Sequence, residues 1–262
     1  MPTANVNGQS IRFDDSGGDG PPIIFSHGFL MDRTMFADQV ESLRDSYRCI
    51  TWDERGFGET PATGPFTYWD SARDALALLD HLGIDSAVFV GMSQGGFLSL
   101  RAALLEPERV RALVLIDSQA GVDDAETLEG YRGMIAHWKS GQPLGEVGQM
   151  VAGLILGEPN LMQKWIQIWE SRDRDGIEYP AGALLDRDDI TDRLAEIACP
   201  VLSIHGEQDM AITMDRAEAL QAAVSHARGL VKVPGAAHAP NMTHPQIVNP
   251  ALGAFLDSLE QR

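Results

Sequence analysis

The chain has 262 residues, with 38 acidic against 20 basic side chains and a formal net charge of -18. Such a surface repels nucleic acid and anionic membranes, so neither is expected as a partner. A chain this long suits one α/β domain with an insertion, and its core needs no disulfide staples. Cys49 and Cys199 stand far apart and without clustered histidines, which suggests neither a disulfide framework nor a metal site and makes a reducing compartment the expectation. The first residues carry no positively charged leader, and no apolar run reaches the ~18 residues that span a bilayer, so a cytoplasmic, soluble protein is expected.

Asn5 to Gly8 and Ser10 to Phe13 read as a hairpin of edge strands, followed by a turn-rich stretch from Asp14 to Gly20. Pro22 to Phe25 is a continuous apolar run, read as a buried strand. It empties into Ser26, His27, Gly28 and Phe29, a loop placed to offer a backbone N–H, from Phe29, to a site at the carboxyl end of the sheet. Thr34 to Leu43 has helical spacing, with Thr34 as N-cap and Met35, Phe36, Val40 and Leu43 on one face. A strand follows over Arg48 to Trp52. The next turn, Asp53 to Gly58, is glycine-rich but lacks the lysine of a phosphate-binding loop and the third glycine of a dinucleotide fingerprint, so it reads as a structural loop. Trp69 to Leu82 is helical by the spacing of Ala72, Ala75, Leu76, Leu79 and Leu82, and Gly83 stops it.

Ala87 to Val90 is a buried strand that runs into Gly91, Met92, Ser93, Gln94 and Gly95. A serine with glycines two positions before and after it, between a strand and a helix, has the pattern of a nucleophile elbow. The glycines let strand and helix approach, and the strained turn aims the hydroxyl outward. Ser93 then heads a helix whose N-terminal N–H groups favour developing negative charge. That helix runs to about Leu105 and ends at Pro107, and Val110 to Ile116 is the next buried strand, closing on Asp117. Strands and helices alternate throughout, which predicts a mostly parallel sheet covered on both faces.

From Ala120 to about Ala198 no strand-like run appears. Helices are predicted over residues 124–139, 143–156, 159–171 and 181–196, separated by Gly141, by Gly157 to Pro159 and by Tyr179 and Pro180. This insertion carries Trp138, Met150, Leu154, Trp165, Ile168 and Trp169, an apolar set placed between two sheet strands and read as a cap over the site. The sheet resumes over Pro200 to His205 and ends in the loop of Glu207, Gln208, Asp209 and Met210. A helix from Met214 to Val224, a strand from Leu230 to Val233, a glycine-rich loop from Pro234 to His238 and a helix from Pro245 to Leu259 complete the chain. No internal repeat is visible, so residues 1–119 and 199–262 read as one core with residues 120–198 as its cap.

With the elbow, the His27-Gly28 loop, the Asp209 loop and the Gly235-x-x-His238 loop in place, the chain resembles the α/β-hydrolase superfamily along nearly its whole length. The order Ser, Asp, His is the one expected there. Within the superfamily it is similar to the lactonase, esterase and haloperoxidase-like branch, of which 3-oxoadipate enol-lactonases are one member. The resemblance implies an eight-stranded sheet, a helical cap after the sixth strand, no metal and no cofactor. It also implies Ser93 as nucleophile, His238 as base and Asp209 as the acid that orients it. Among seven histidines, His81, His137 and His226 fall on helices or their ends, His205 ends a strand, His27 lies in the loop with Phe29, and His244 precedes the last helix. Only His238 sits just past a strand in a glycine-rich loop. Asp117, which also ends a strand, is the rival acid to Asp209.

The chemistry of that resemblance is acyl transfer to serine, with the backbone N–H groups of Phe29 and Gln94 as oxyanion donors. The substrate is expected to be a small neutral ester or lactone, enclosed by Met31, Met92, Trp138, Leu154, Trp165, Trp169, Met210 and Met242. No cation is evident at the mouth; Arg33 and Arg132 are the arginines that come nearest. A serine at position 93 disfavours chemistry that needs a carboxylate nucleophile. Perhydrolysis of the haloperoxidase kind and carbon–carbon bond hydrolysis use the same three residues, and a non-catalytic ligand receptor can keep the same fold.

Overall fold

The computed structural model describes residues 2–260. Asn7 and Gly8, both with positive φ, turn β1 (Thr3–Val6) onto β2 (Gln9–Asp15), the dipeptide and geometry that a two-residue hairpin prefers. β2 then pairs antiparallel with β4 (Arg48–Trp52), with Phe13 opposite Trp52. All remaining pairings are parallel: β3 (Pro22–Ser26), β5 (Ala87–Met92), β6 (Val110–Ile116), β7 (Val201–Gly206) and β8 (Ala227–Val233) complete an eight-stranded sheet. Its order is β1-β2-β4-β3-β5-β6-β7-β8. The sense of winding therefore reverses between β3 and β5. Loops leaving the carboxyl ends of those two strands diverge to opposite faces, and a crevice opens between them, where open α/β sheets bind ligands.

The period of two divides the strand side chains between two apolar cores. Phe25, Val88, Val90, Val114, Ile116 and Ile204 face one way, where α1 (Ala37–Leu43) and α10 (Pro245–Glu260) cover them with Leu43, Val248, Leu252 and Leu256. Ile24, Ile50, Phe89, Leu113, Leu115 and Val201 face the other way, under α2 (Tyr68–His81), α3 (Gln94–Leu105) and α8 (Met214–Ala223). α2 starts where Thr67 and Asp70 cap each other's backbone, a reciprocal capping box that satisfies two otherwise orphaned N–H groups.

Between β6 and β7 the chain forms α4 (Ala125–Lys139), α5 (Gly145–Ile155), α6 (Pro159–Ser171) and α7 (Glu178–Leu185). The helix predicted over 181–196 is not continuous. Pro180 lies in the first turn of α7, where a missing N–H costs nothing, instead of separating two helices. After Leu185, Arg187 turns inward to Asp123 while the Asp188 carboxylate reaches Arg101, and the chain resumes only as a 3-10 segment, Thr191–Glu196. Thr34 is likewise not a helix cap. Asp32 accepts from the Thr34 N–H, and a 3-10 turn over Arg33–Phe36 precedes α1. β8 begins at Ala227, before the predicted Leu230, because it is an edge strand whose first residues are exposed and carry little apolar signal. A short α9 (Pro240–Thr243) was not predicted at all.

The tightest approach in the core is at the start of α3. A Cβ added at Gly95 would lie 2.0 Å from the carbonyl oxygen of Ser26, and one at Gly91 would lie 2.1 Å from that of Gly95. Both contacts are with backbone, which cannot swing aside. Gly95→Val is expected to cost about 3 kcal/mol or more, lowering the melting temperature by roughly 6 to 12 °C. A melting curve that overlays the wild type would show that strand and helix are not so closely seated.

Candidate active site

The same close approach forces Ser93 into a backbone conformation that non-glycine residues rarely adopt, φ 51° and ψ -116°. Two hydrogen bonds hold the turn: the Ser93 N–H donates to the Ile116 carbonyl at 2.8 Å, and the Ser118 hydroxyl donates to the Ser93 carbonyl at 2.9 Å. The Ser93 hydroxyl then stands 3.0 Å from His238 Nε2, while His238 Nδ1 lies 2.7 Å from Asp209 Oδ2. These three side chains come from loops after β5, β7 and β8, and all three residues are buried. The structure thus brings Ser93, Asp209 and His238 into one relay, with the imidazole nitrogens each facing one partner.

Asp209 is held from behind by its own loop, since Oδ1 accepts from the Ala211 N–H at 2.8 Å and the Ile212 N–H at 3.1 Å. Burial alone would raise its pKa, but the facing His238 and these N–H groups outweigh burial and hold it below the ordinary carboxylate range. Asp117 occupies a different place. It is fully buried at the end of β6, with Oδ1 accepting from the Gly206 N–H at 2.9 Å and no hydrogen bond to His238 among the described residues. Burial first, and then the charge of Asp209, push its pKa well above the carboxylate range, so it is the neutral member of the pair and can donate a proton toward Asp209. His205 lies 3.4 Å from Asp209 and donates from Nε2 to the Ile212 carbonyl at 2.8 Å; burial lowers its pKa and keeps it neutral.

On the other side of the serine, the Phe29 and Gln94 N–H groups donate to nothing among the described residues. Gln94 opens α3, so its N–H is one of the helix's orphan donors. The loop carrying Phe29 lies against the serine: a Cβ at Gly28 would fall 2.5 Å from Met92 Sδ and 3.6 Å from Ser93 Cβ. His27 pins that loop, with Nδ1 2.8 Å from the Gly28 carbonyl and Nε2 accepting from the Glu54 N–H at 3.0 Å. The acceptor role of Nε2 assigns the proton to Nδ1, and burial lowers the pKa so that the ring stays neutral. The Gln94 amide is fixed in turn, accepting from the Tyr68 hydroxyl at 3.2 Å and donating to Glu54 Oε1 at 3.2 Å.

A cavity of about 60 Å³ lies over Ser93 and His238, and a wider vestibule of about 520 Å³ shares its outer wall. At ~10–15 Å³ per water-sized group, the inner cavity takes about four to six such groups. Of the residues expected to enclose the substrate, Met31, Met92 and Leu154 line it and Met210 lines the vestibule; Phe29 lines the inner cavity as well. Trp138, Trp165, Trp169 and Met242 are not among the lining residues. The three indoles pack on one another as the buried base of the insertion, with ring centroids 5.4 and 6.4 Å apart, and the Trp169 N–H donates to the Leu30 carbonyl at 2.8 Å. Met242 packs half-buried against the same apolar core.

The walls they were expected to form come instead from Tyr131 and Met134 on α4, and from Val151, Leu154 and Ile155 on α5. These positions stand three or four apart, so the helical faces that carry them were readable, although which face met the site was not. Neither predicted arginine reaches the cavity. Arg33 is buried in ion pairs with Asp14, Asp53 and Glu59, and Arg132 pairs with Glu129 on the surface. The cation that lines the vestibule is Arg216, which shares that wall with Asp123 and Asp124.

A family model described as the alpha/beta hydrolase fold matches residues 21–245. The chain is 29% identical to 3-oxoadipate enol-lactonase 2 of Acinetobacter baylyi over 246 residues, covering 91% of this chain and 89% of that protein. It is also 29% identical to a non-heme chloroperoxidase of Streptomyces lividans, covering 96% of this chain and 98% of that protein. Among solved structures, a thermophilic esterase from Thermogutta terrifontis superposes with a TM-score of 0.88 at 30% identity, covering 98% of this chain and 97% of that one. The enol-lactonase from Burkholderia xenovorans LB400 superposes with a TM-score of 0.89 at 25% identity, covering 98% and 100%.

A fluorophosphonate tests whether this geometry activates the serine, and peptide mapping is expected to find the label on Ser93. Asp209→Asn should slow labelling by several orders of magnitude, because the amide favours the wrong imidazole tautomer. Asp117→Asn, which keeps a neutral donor in place, should slow it by no more than about tenfold. The reverse ranking would make Asp117 the residue that orients His238.

Proposed function

The chain belongs to the α/β-hydrolase family, and from that premise we propose that it is a cofactor-free serine hydrolase that cleaves a small neutral ester or lactone through an acyl-enzyme. The observation that carries the reading is the relay from Asp209 through His238 to Ser93, opening on an apolar cavity. In the first half-reaction His238 Nε2 takes the Ser93 proton as Oγ attacks the carbonyl carbon. The carbonyl oxygen becomes an oxyanion beside the Phe29 and Gln94 N–H groups, and each preorganised donor is worth ~3 kcal/mol of barrier. Collapse breaks the bond to the alkoxy oxygen, which takes the proton from His238; from a lactone, that oxygen stays tethered to the acyl group. Water then attacks the acyl-enzyme with His238 as base, releasing the acid and restoring Ser93. Asp209 holds the Nδ1 proton throughout and stabilises the imidazolium.

Two of the relatives named above are enol-lactonases and one is an esterase, which supports the ester and lactone class. The lining favours neutral substrates. The inner cavity has no cation on its wall among the described residues, and Arg216 in the vestibule stands with two carboxylates. A free carboxylate would therefore lose water without gaining a paired cation. The likeness to a chloroperoxidase supports a second reading for the same acyl-enzyme, in which hydrogen peroxide replaces water as the nucleophile that releases the acyl group.

Ser93→Ala is expected to abolish hydrolysis of aryl esters and lactones with an unchanged circular dichroism spectrum; near-native turnover by that variant would end the proposal. Neutral esters should show a higher kcat/KM than matched substrates carrying a carboxylate. A preference for the carboxylate that fades as salt is added would place a working cation in the pocket and favour the enol-lactonase class.

A further inference from the structure

The inner cavity is apolar except at one place outside the relay, where Gln119, Asp123 and Tyr131 line both it and the vestibule. This shared wall is the neck through which a substrate longer than the inner cavity must pass. Its central group is the Asp123 carboxylate, whose side chain is 10% exposed. Gln119 donates to Asp123 Oδ1 at 2.9 Å and Arg187 to Oδ2 at 2.9 Å, so the carboxylate is held in one orientation and each oxygen keeps an unused lone pair.

Arg187 is not available to a ligand. Its side chain is 2% exposed, it also donates to the carbonyls of Gly121 and Leu184, and its guanidinium lies 4.9 Å from the centroid of the Phe97 ring. Its charge nonetheless offsets that of Asp123, so the neck presents acceptors without a strong negative field. Gln119 Oε1 is itself buried and has no hydrogen-bond partner among the described residues. The Tyr131 phenol, pushed up to about 12 by burial and then by the Asp123 charge, stays protonated on the same wall. The wall therefore offers one fixed carboxylate acceptor, Asp123, beside one hydroxyl, that of Tyr131.

We propose that Asp123, fixed by Gln119 and Arg187, is a specificity-determining residue that accepts a hydrogen bond from a neutral donor, a hydroxyl or an amide N–H, on the part of the substrate lying in the neck. The inference rests on the ester or lactone reading and narrows it to substrates with such a donor at a distance from the scissile bond. A substrate with a methyl group there leaves the carboxylate desolvated and incompletely paired, which penalises it beyond the lost hydrogen bond.

The test compares short ω-hydroxyalkyl acetates with n-alkyl acetates of equal length. In the wild type, kcat/KM should favour the hydroxyl at some chain length by about 10-fold or more. The double variant Asp123→Leu, Arg187→Met removes both charges together, because deleting the acid alone would strand a buried guanidinium. There the ratio should fall to within about twofold, mostly through KM. The double variant Asp123→Asn, Arg187→Gln, checked by thermal melting, removes the same two charges with less change of shape and should lower the ratio in the same direction. Tyr131→Phe should leave it within about twofold. Calorimetric binding of the matched non-hydrolysable ethers gives the ratio without chemistry, so a failure of ester hydrolysis and a failure of this inference are told apart. Equal wild-type ratios at every length, a ratio that survives both Asp123 variants, or one lost in Tyr131→Phe would overturn it.

Discussion

Ser26 and Gly95 touch backbone to backbone, and most of the site follows from that contact. Because the carbonyl of Ser26 leaves no space for a side chain at Gly95, the first turn of α3 lies directly on the end of β3. The chain between β5 and α3 must then turn within one residue, and Ser93 takes the strained conformation that lifts its hydroxyl clear of the sheet. The loop leaving β3 is drawn to the same point. The N–H groups of Phe29, in the loop after β3, and of Gln94, at the start of α3, are therefore brought to the same end of the sheet as the Ser93 hydroxyl, with the His27 ring pinning the first. The reversal of strand order between β3 and β5 provides the crevice into which all three point.

A turn held so tightly needs its neighbours satisfied, and the polar groups beneath the site are arranged to stay neutral. His27, Glu54, Asp117 and His205 are all buried, and burial is the first cause of each pKa shift, down for the histidines and up for the acids. Asp209 is the exception, since it faces His238 and the N–H groups of its own loop. One buried charge is thus retained where it faces the imidazole of His238, and its neighbours are kept uncharged. The net charge of -18 is largely screened at the outer surface, and on the cavity wall the carboxylate of Asp123 is paired with Arg187.

Residues whose role is set by local geometry were legible in the sequence. The glycines around Ser93, the glycine-rich loop before His238 and the alternation of apolar runs placed the strands, the helices and the three members of the relay. Boundaries were less legible where a long-range contact decides them. The misplaced cap at Thr34 is a local matter, Asp32 accepting from the N–H two residues on, whereas the helix predicted over 181–196 is broken because Arg187 reaches across to Asp123, 64 positions earlier in the chain. No periodicity contains that pairing. The neck of the cavity was missed for the same reason: Gln119 and Asp123 lie in a polar loop after β6, and only the fold turns them toward Ser93.

The tryptophans show where composition misleads. An apolar aromatic set in an insertion reads as a substrate wall, yet an indole is also the side chain best suited to bury area while spending its single N–H on one directional bond. Here that bond goes from Trp169 to the carbonyl of Leu30, a residue held at φ 66° in the loop that carries Phe29. The ion pair between Arg172, just past α6, and Asp32 joins the insertion to the same loop two residues further on. The three indoles stand off the cavity wall, and Trp169 anchors the insertion to the segment beside the serine. Smaller and more adaptable side chains, Met134, Val151, Leu154 and Ile155, line the cavity. The insertion closes the cavity with one face of α4 and α5 and steadies the Phe29 loop with α6, so its position and that of the loop are set by a shared contact.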